Sequence, residues 1–446
     1  MSGVRHLVSI DDLSLPEMRE LFAFAAKFQA DMRAHSHIGR GLISASLFYE
    51  ASTRTRLSFE SAMLRLGGGT ITAADMRTSS ASKGESLADT VRVVGGGYAD
   101  VIVLRHPSEG AARLAAQYSS VPVINAGDGS HEHPTQTLCD LYNLWVERGR
   151  IEGLDVVLAG DLRYSRTIHS FAYALARFGA NLVCVPAPGY ELPDYVVLRL
   201  REEFGVEPQR ADASRLGDLA SSSDAVYLTP QKPHQLSLFT DARGLSIERV
   251  DAVYMTRPQT ERHPDGARGL ENYVQLGKRS LAAESLRDAV VMHPLPRRDE
   301  ISDDIDSDPR SIYFKQAARG VPIRMAILGY LLGVVKLATD QRPPEPHFYN
   351  VPSTTNPCPN PTCIARTEPR HVTAMFKLTS RFPLRAHCAY CSHELKFHFV
   401  GCSTTLHYHS PESPDLRKVR SDHFVFLRDA DEAARLGYAP AVKPKT

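Results

Sequence analysis

The sequence lacks an excess of charge of either sign. Its 446 residues carry 52 Lys and Arg against 51 Asp and Glu, a formal net charge of +1. No global field draws such a chain to nucleic acid or to an anionic membrane, so any anion must be held by local clusters. Long apolar runs are missing as well. No stretch reaches the roughly 18 residues of a membrane helix. The opening Met1-Ser-Gly-Val-Arg-His6 has no apolar core of a secretory signal. The expectation is a cytoplasmic protein. Cysteine is scarce through most of the chain. Cys139 and Cys184 stand alone, and the other five of the seven fall at 358, 363, 388, 391 and 402. That asymmetry argues against a disulfide framework and for a metal site in a reducing compartment.

What is present suits a globular protein of two or three domains, with 43% hydrophobic and 23% charged residues. Strand-like runs cover Leu42–Tyr49, Val101–Leu104, Val121–Ile124, Val156–Ala159, Leu182–Val185, Ala252–Met255 and Ala289–Met292. Helical patterns such as Leu57–Leu66 and Ile168–Phe178 lie between them. This alternation, which continues to about residue 337, predicts two α/β domains with parallel sheets of four or five strands and a cleft between them. Residues 338–357 lose periodicity and gain proline, as a linker does. One internal echo links Asp224-Ala-Val-Tyr-Leu-Thr-Pro-Gln231 with Asp251-Ala-Val-Tyr-Met-Thr-Arg-Pro-Gln259. A duplicated strand and a chance likeness of two buried strands are both open.

Several segments have the chemistry of anion sites. Ser52-Thr-Arg-Thr-Arg56 follows a strand and opens a helix whose apolar face is Phe59, Met63 and Leu66 and whose end is Gly67-Gly-Gly69. Ser52 and Thr53 suit the N-cap, and the helix start offers free N–H donors, hydroxyls and two arginines. Gly160-Asp-Leu-Arg-Tyr-Ser-Arg166 repeats the device with Ser165 as cap. It is not a G-x-G-x-x-G fingerprint, so a dinucleotide is not implied. Ser79 and Lys83 sit in a polar stretch that reads by itself as a solvated loop. Arg105, His133, Gln136, Arg257 and His293-Pro-Leu-Pro-Arg297 each follow strand-like runs closely, where α/β folds hold ligands. A lone histidine such as His133 is more often a packing residue. Pro294 and Pro296 stiffen their loop and leave the Leu295 carbonyl as an acceptor. Together these groups suit a small substrate with several negative charges.

The motifs Phe48-Tyr-Glu-Ala-Ser-Thr-Arg-Thr-Arg-Leu-Ser-Phe59, Ser82-Lys-Gly-Glu-Ser-Leu-Ala-Asp-Thr90, Arg105-His-Pro107, Asn125-Ala-Gly-Asp-Gly-Ser-His-Glu-His-Pro-Thr-Gln-Thr137, Gly160–Thr167, Tyr254-Met-Thr-Arg-Pro-Gln259 and His293–Arg297 stand in one order. Over residues 5–337 the chain resembles the catalytic chain of aspartate carbamoyltransferase. The resemblance implies transfer of a carbamoyl group from carbamoyl phosphate to L-aspartate, a step of pyrimidine synthesis, with no cofactor for catalysis. It implies a carbamoyl-phosphate domain at 1–136 plus 292–337 and an aspartate domain at 137–291. Ser52, Thr53, Arg54 and Thr55 would bind phosphate. Arg105, His133 and Gln136 would hold the carbamoyl group. Arg166, Arg257 and Gln259 would grip aspartate, and the backbone of Leu295 and Pro296 would accept from the amine and the carbamoyl NH2. The catalytic set implied is Arg54, Thr55, Lys83, Arg105 and His133. Ser79 and Lys83 would enter a neighbouring subunit's site, so the implied assembly is a homotrimer with shared active sites. A related family that takes ornithine would show cysteine where Pro294 stands. A silent homologue acting as a scaffold is the other alternative, but none of the implied groups is lost. Residues 221–246 look extra relative to the family.

Beyond the linker, Cys358-x4-Cys363 and Cys388-x2-Cys391 form two close pairs 24 residues apart. Four thiolates so spaced fit tetrahedral structural zinc. This segment, within 358–446, resembles the zinc domain of the aspartate carbamoyltransferase regulatory chain, here fused to a catalytic chain. Zinc modules of two trimers could meet to give a hexamer or larger. The linker leaves no room for that family's nucleotide-binding domain, which implies no nucleotide feedback. The tail holds His407, His409 and His423, a set that leaves a second metal open beside a packing role.

Overall fold

The computed structural model describes residues 4–74, 83–215, 219, 223–229, 251–257, 275–282, 286–339, 348–350, 358–369, 372, 374–381 and 383–441. Helix α1 (Leu15–Ala30) shows why these segments fold locally. Ser14 accepts from the Glu17 N–H while Glu17 Oε2 accepts from the Ser14 N–H, a reciprocal cap. Met18, Leu21, Phe22, Ala25 and Phe28 recur every three or four residues and are all buried.

The first sheet holds β1 (Ile43–Phe48), β2 (Gly69–Ala73), β3 (Val101–His106) and β4 (Val123–Asp128), all parallel, in the order β2-β1-β3-β4. Its crossovers include α2 (Thr53–Leu66), α3 (Leu87–Gly95) and α4 (Ala111–Tyr118). Helix α2 stops at Gly67, whose φ is +90° and where a Cβ would lie 2.0 Å from the Ser36 carbonyl oxygen. Only glycine fits there. Helix α5 (Pro134–Arg148) leads to the second sheet.

That sheet comprises β5 (Asp155–Gly160), β6 (Asn181–Pro186), β7 (Gln209–Arg210), β8 (Ala225–Thr229), β9 (Ala252–Met255) and β10 (Val290–Met292). The order is β10-β9-β8-β5-β6-β7, all parallel. Six strands correct the expected four or five. The reason lies in the echo: both copies are strands, and they pair side by side with Ala225 against Ala252. Tyr227 and Tyr254 stack at 4.3 Å between ring centroids. Most of 221–246 lies outside the described residues.

Helices α6 (Arg166–Arg177) and α7 (Asp194–Phe204) cover the second sheet, and α8 (Tyr313–Leu331) returns to pack on α1, α2 and α5. The C-terminal part forms two small sheets. One is β11 (Phe348–Asn350), β12 (Met375–Arg381) and β13 (Leu384–Cys388), paired antiparallel. The other is β14 (Phe399–Cys402), β15 (His407–His409), β16 (Phe424–Leu427) and β17 (Ala439–Pro440), in the order β16-β14-β15-β17. One buried cluster joins Ala45, Leu104 and Ala111 of the first domain to Cys358, Phe376 and Phe426 of this module. The module is therefore packed onto the first domain through a shared core. Among the described residues no helix is long and apolar enough to cross a membrane.

Candidate active site and metal centre

The C-terminal ends of β1, β3, β4, β5, β9 and β10 meet at one rim. There a cavity of ≈ 630 Å³ opens between the two sheets, lined by Ser52, Thr53, Arg54, Thr55, Arg105, His133, Gln136, Arg166, Arg257, Leu295 and Pro296 among others. The sequence segments read separately as anion sites thus converge. Lys83 is not among the lining residues. Ser79 and Gln259 lie outside the described residues.

Ser52 occupies the N-cap position of α2, yet its hydroxyl donates to Thr55 Oγ1 at 3.0 Å and caps no backbone N–H. This corrects the expected capping role of Ser52 and Thr53. The same holds for Ser165 at the start of α6. Two helix starts at the cleft are left without a side-chain cap, which favours an anion in their place.

Arginine dominates the electrostatics. Arg105 is buried, donates to the Ala126 carbonyl (3.2 Å) and to Glu50, and has a buried Nε with no partner among the described residues. Burial, then the nearby Arg166, pulls its guanidinium down to about 9, against the opposing pull of Glu50. Arg54 is likewise lowered, by burial and then by Arg257. Arg166 donates to the Gly129 carbonyl (2.9 Å) and to Glu50 Oε1 (3.4 Å). Among the described residues no Asp or Glu lines the cavity. Five arginines, Arg54, Arg105, Arg166, Arg257 and Arg324, line one cavity, where Arg166 and Arg257 disfavour the charge of Arg105 and Arg257 that of Arg54, so the site gains by taking up anions.

The other groups are held firmly. The His133 N–H donates to Ser170 Oγ at 3.1 Å. His293 lies against Glu300 (Nε2 to Oε1, 2.8 Å), and its Nδ1 accepts from the Leu295 N–H at 2.8 Å. That fixes the tautomer and the turn carrying Leu295 and Pro296. Sequence reasoning assigned no role to Glu50, Gln316 or Arg324. Glu50 pairs with two of the arginines, and Gln316 and Arg324 line the cavity. Glu50 had a signal, since it stands two residues before Ser52 at the end of β1.

The four sulfurs of Cys358, Cys363, Cys388 and Cys391 all lie within 4.8 Å of one another and are buried. Cys358 and Cys391 are 3.4 Å apart, Cys363 and Cys388 3.8 Å. Hydrogen bonds from Cys358, then from Cys363 and Cys391, hold the Cys388 thiol well below its ordinary value. Four converging thiols without a disulfide fit a metal ion. Among the described residues this is the one such cluster of three or more ligand atoms; His407, His409 and His423 form none.

A two-domain α/β fold with an arginine-lined cleft defines an enzyme that handles small anions. Residues 5–145 match the family model of the aspartate/ornithine carbamoyltransferase carbamoyl-P binding domain, and residues 152–331 that of the Asp/Orn binding domain. Residues 356–400 match the metal binding domain of the aspartate carbamoyltransferase regulatory chain. The aspartate carbamoyltransferase catalytic subunit of Thermoplasma acidophilum is 42% identical over 337 residues, covering 74% of this chain and 98% of that protein. That of Thermococcus gammatolerans is 44% identical over 338 residues, with the same shares. The solved catalytic subunit of M. jannaschii aspartate transcarbamoylase superposes with a TM-score of 0.60 at 41% identity, covering 74% of this chain and 98% of that one. The Trypanosoma cruzi enzyme, solved with carbamoyl phosphate and aspartate, gives a TM-score of 0.60 at 32% identity, covering 73% and 96%. The chain belongs to the aspartate carbamoyltransferase family.

Proposed function

We propose that this protein forms N-carbamoyl-L-aspartate and phosphate from carbamoyl phosphate and L-aspartate. The observation that carries the reading is the set of five arginines around a cavity that, among the described residues, is lined by no carboxylate. Phosphate sits at the start of α2 against Ser52, Thr53, Arg54 and Thr55. Arg105, Thr55 and His133 donate to the carbamoyl oxygen, and Gln136 accepts from its NH2. Arg166, Arg257 and Gln259 take the two carboxylates of aspartate. The amine attacks the carbonyl carbon, a tetrahedral oxyanion forms, and the bond to phosphate breaks as a proton passes from the amine to the departing phosphate. The donors act as an oxyanion hole. Holding two mutually repelling anions together supplies much of the remaining rate. No enzyme nucleophile takes part.

The division into a carbamoyl-phosphate domain (1–136 plus 292–337), an aspartate domain (137–291), a linker (338–357) and a metal module with tail (358–446) is part of this reading. The return of α8 onto α1, α2 and α5 supports it. We read the metal as structural zinc. A zinc–thiolate bond of about 2.3 Å gives a tetrahedral sulfur–sulfur edge of about 3.8 Å, close to the 3.4 and 3.8 Å separations. Cys358, Cys363, Cys388 and Cys391 would hold it, and it supplies folding energy, not chemistry. The assembly proposed is a homotrimer in which Ser79 and Lys83 reach the next subunit's cleft. Lys83 lying outside this chain's own cavity supports that. So do the exposed apolar residues Leu57, Leu64, Ile71, Val93 and Tyr98 on the first domain. Zinc modules of two trimers can extend it to a hexamer. The free cysteines suit a cytoplasmic, reducing setting.

The test is product formation by purified protein with carbamoyl phosphate and either L-aspartate or L-ornithine, in wild type and Arg54→Ala. Aspartate-dependent product that falls by at least about 100-fold in the variant is expected. Absence of product with aspartate, or an undiminished Arg54→Ala enzyme, overturns the reading.

A further inference from the structure

Asp140 is a buried carboxylate one helical turn after Gln136 on α5, with three donors on it from three elements. Its Oδ1 accepts from Gln136 Nε2 at 2.8 Å and from Gln316 Nε2 at 2.9 Å. Its Oδ2 accepts from the Tyr254 hydroxyl at 2.9 Å. Tyr254 lies on β9, three residues before Arg257. Gln316 lies on α8 and uses its other end, Oε1, to accept from the His293 N–H at 2.9 Å. One carboxylate therefore ties together the helix that starts at His133, the strand that delivers Arg257 and the turn that carries Leu295.

The chemistry of the pairings is one-directional. Both glutamines meet Oδ1, while a proton on the carboxyl would sit on Oδ2 beside the Tyr254 hydroxyl, so Oδ1 stays an acceptor and each glutamine must turn its NH2 toward Asp140. That leaves Gln136 Oε1 as the free end of the amide that lines the cleft. Gln316 Oε1 is likewise forced toward the His293 N–H. With an apolar side chain or an amide at 140, the Gln136 amide would lose its fixed sense and could present NH2 to the cleft. Burial pushes the Asp140 carboxyl up to about 7. Tyr254, Gln136 and Gln316 pull the other way, as does Arg324 of α8.

We propose that Asp140 is a positioning residue that fixes the sense of the Gln136 amide, so that the Gln136 carbonyl, and not its NH2, meets the NH2 of the carbamoyl group. The inference rests on the proposed reading of the cleft, and deepens it by separating recognition of the carbamoyl end from recognition of the phosphate end. Gln136 contributes nothing to the phosphate cradle at α2, so the two ends respond differently.

The test uses the full-length protein and equilibrium binding of two probes, carbamoyl phosphate and inorganic phosphate. Asp140→Leu, a near-isostere without an acceptor, is expected to weaken carbamoyl phosphate binding by about 10-fold with phosphate binding changed by less than about twofold. Gln136→Ala should have a similar effect, and the double variant should be no worse than either single one. Should Asp140→Leu fail to fold, Asp140→Asn carries the same cycle. Its amide can accept from Gln136 or donate to it, so binding weakens by about threefold, and the effect vanishes in the Gln136→Ala background. Equal weakening of both probes, additive losses in the double variant, or wild-type carbamoyl phosphate binding in the folded variant overturns the proposal. Wild-type protein that binds neither probe instead removes the reading of the cleft on which it stands.

Discussion

Asn360 of the metal module donates a 2.8 Å hydrogen bond to Oε2 of Glu109, which is buried at the start of α4. Around this pair the Glu109 N–H donates to the Thr362 carbonyl (3.0 Å) and the Ile364 N–H to the Glu109 carbonyl (2.9 Å). The next residue, Gly110, has φ +82°, and a Cβ there would lie 2.5 Å from Tyr390. The module also touches the second domain, where Lys377 meets Glu203 at 2.9 Å and Arg385 meets Glu202 at 3.3 Å. Those surface pairs contribute little each. The buried contact on Glu109 and the shared apolar core hold the module in place.

Replacing Glu109 by alanine should therefore loosen the module without emptying its metal site. The change strips buried Asn360 of a charged acceptor, which costs on the order of 1–3 kcal/mol. Thermal unfolding of Glu109→Ala should begin at a lower temperature, while metal content per chain stays at the wild-type level. An unchanged unfolding curve would refute the importance assigned to this contact.

The metal itself should matter more. Cys358, Cys363, Cys388 and Cys391 belong to the same buried cluster as Ala45 and Leu104. Losing the ion unpacks a core that the first domain shares. Cys388→Ser should lower bound zinc from about one ion per chain, and expose the module to limited proteolysis. Elemental analysis and digestion read the two effects separately. A serine variant that keeps its metal and its protease resistance would rule out the four-thiolate site.

Much of this architecture was legible from residue patterns. The parallel sheets follow from apolar runs alternating with helical ones, and the cleft from basic and polar groups just after those runs. What escaped is long-range. The echo at Asp224 gave no sign that β8 would sit between β5 and β9, because strand order depends on packing and not on local propensity. Ser52 was expected to cap α2, since serine at that position commonly does. Its hydroxyl turns to Thr55 instead. Glu50 and Asp140 looked like ordinary acids until folding brought Arg105, Arg166 and two glutamines onto them. The cysteine spacing carried its meaning locally and needed no fold to be read.

A pH effect on stability should trace to His131. Burial alone would lower this imidazole, but the Asp128 carboxylate, 3.1 Å from Nδ1, then Glu132 and Glu109, lift it from 6.5 up to about 9. A group raised on folding adds stability that is whole below its unfolded value and is lost as pH rises through the folded one. The window is thus pH 6.5 to 9, and the contribution is on the order of 3 kcal/mol. Urea unfolding of wild type and His131→Asn across that range should show a declining difference. Parallel curves would remove His131 as the source. The same ring reaches Ser392 Oγ of the metal module at 3.2 Å, so the variant should also loosen that contact.

Gly160 offers a way to disturb one substrate end and spare the other. It closes β5 with φ +94°, and a Cβ there would fall 1.8 Å from the Thr229 carbonyl oxygen on β8. Alanine at 160 must both adopt a conformation that costs about 1–2 kcal/mol and push the end of β8 away. That end matters because the β8 residue Tyr227 lies 2.9 Å, hydroxyl to Oγ1, from Thr167, the neighbour of Arg166. A displaced β8 therefore shifts the arginine proposed to grip aspartate, while α2 and its phosphate cradle sit on the other sheet. Gly160→Ala should raise the KM for aspartate by about 10-fold or more, since a small misplacement of a binding group carries that scale of penalty. The affinity for inorganic phosphate should stay near wild type. Equal losses at both ends would mean that the two sheets move as one body around the cleft, and that Arg166 owes its position to the interface between them.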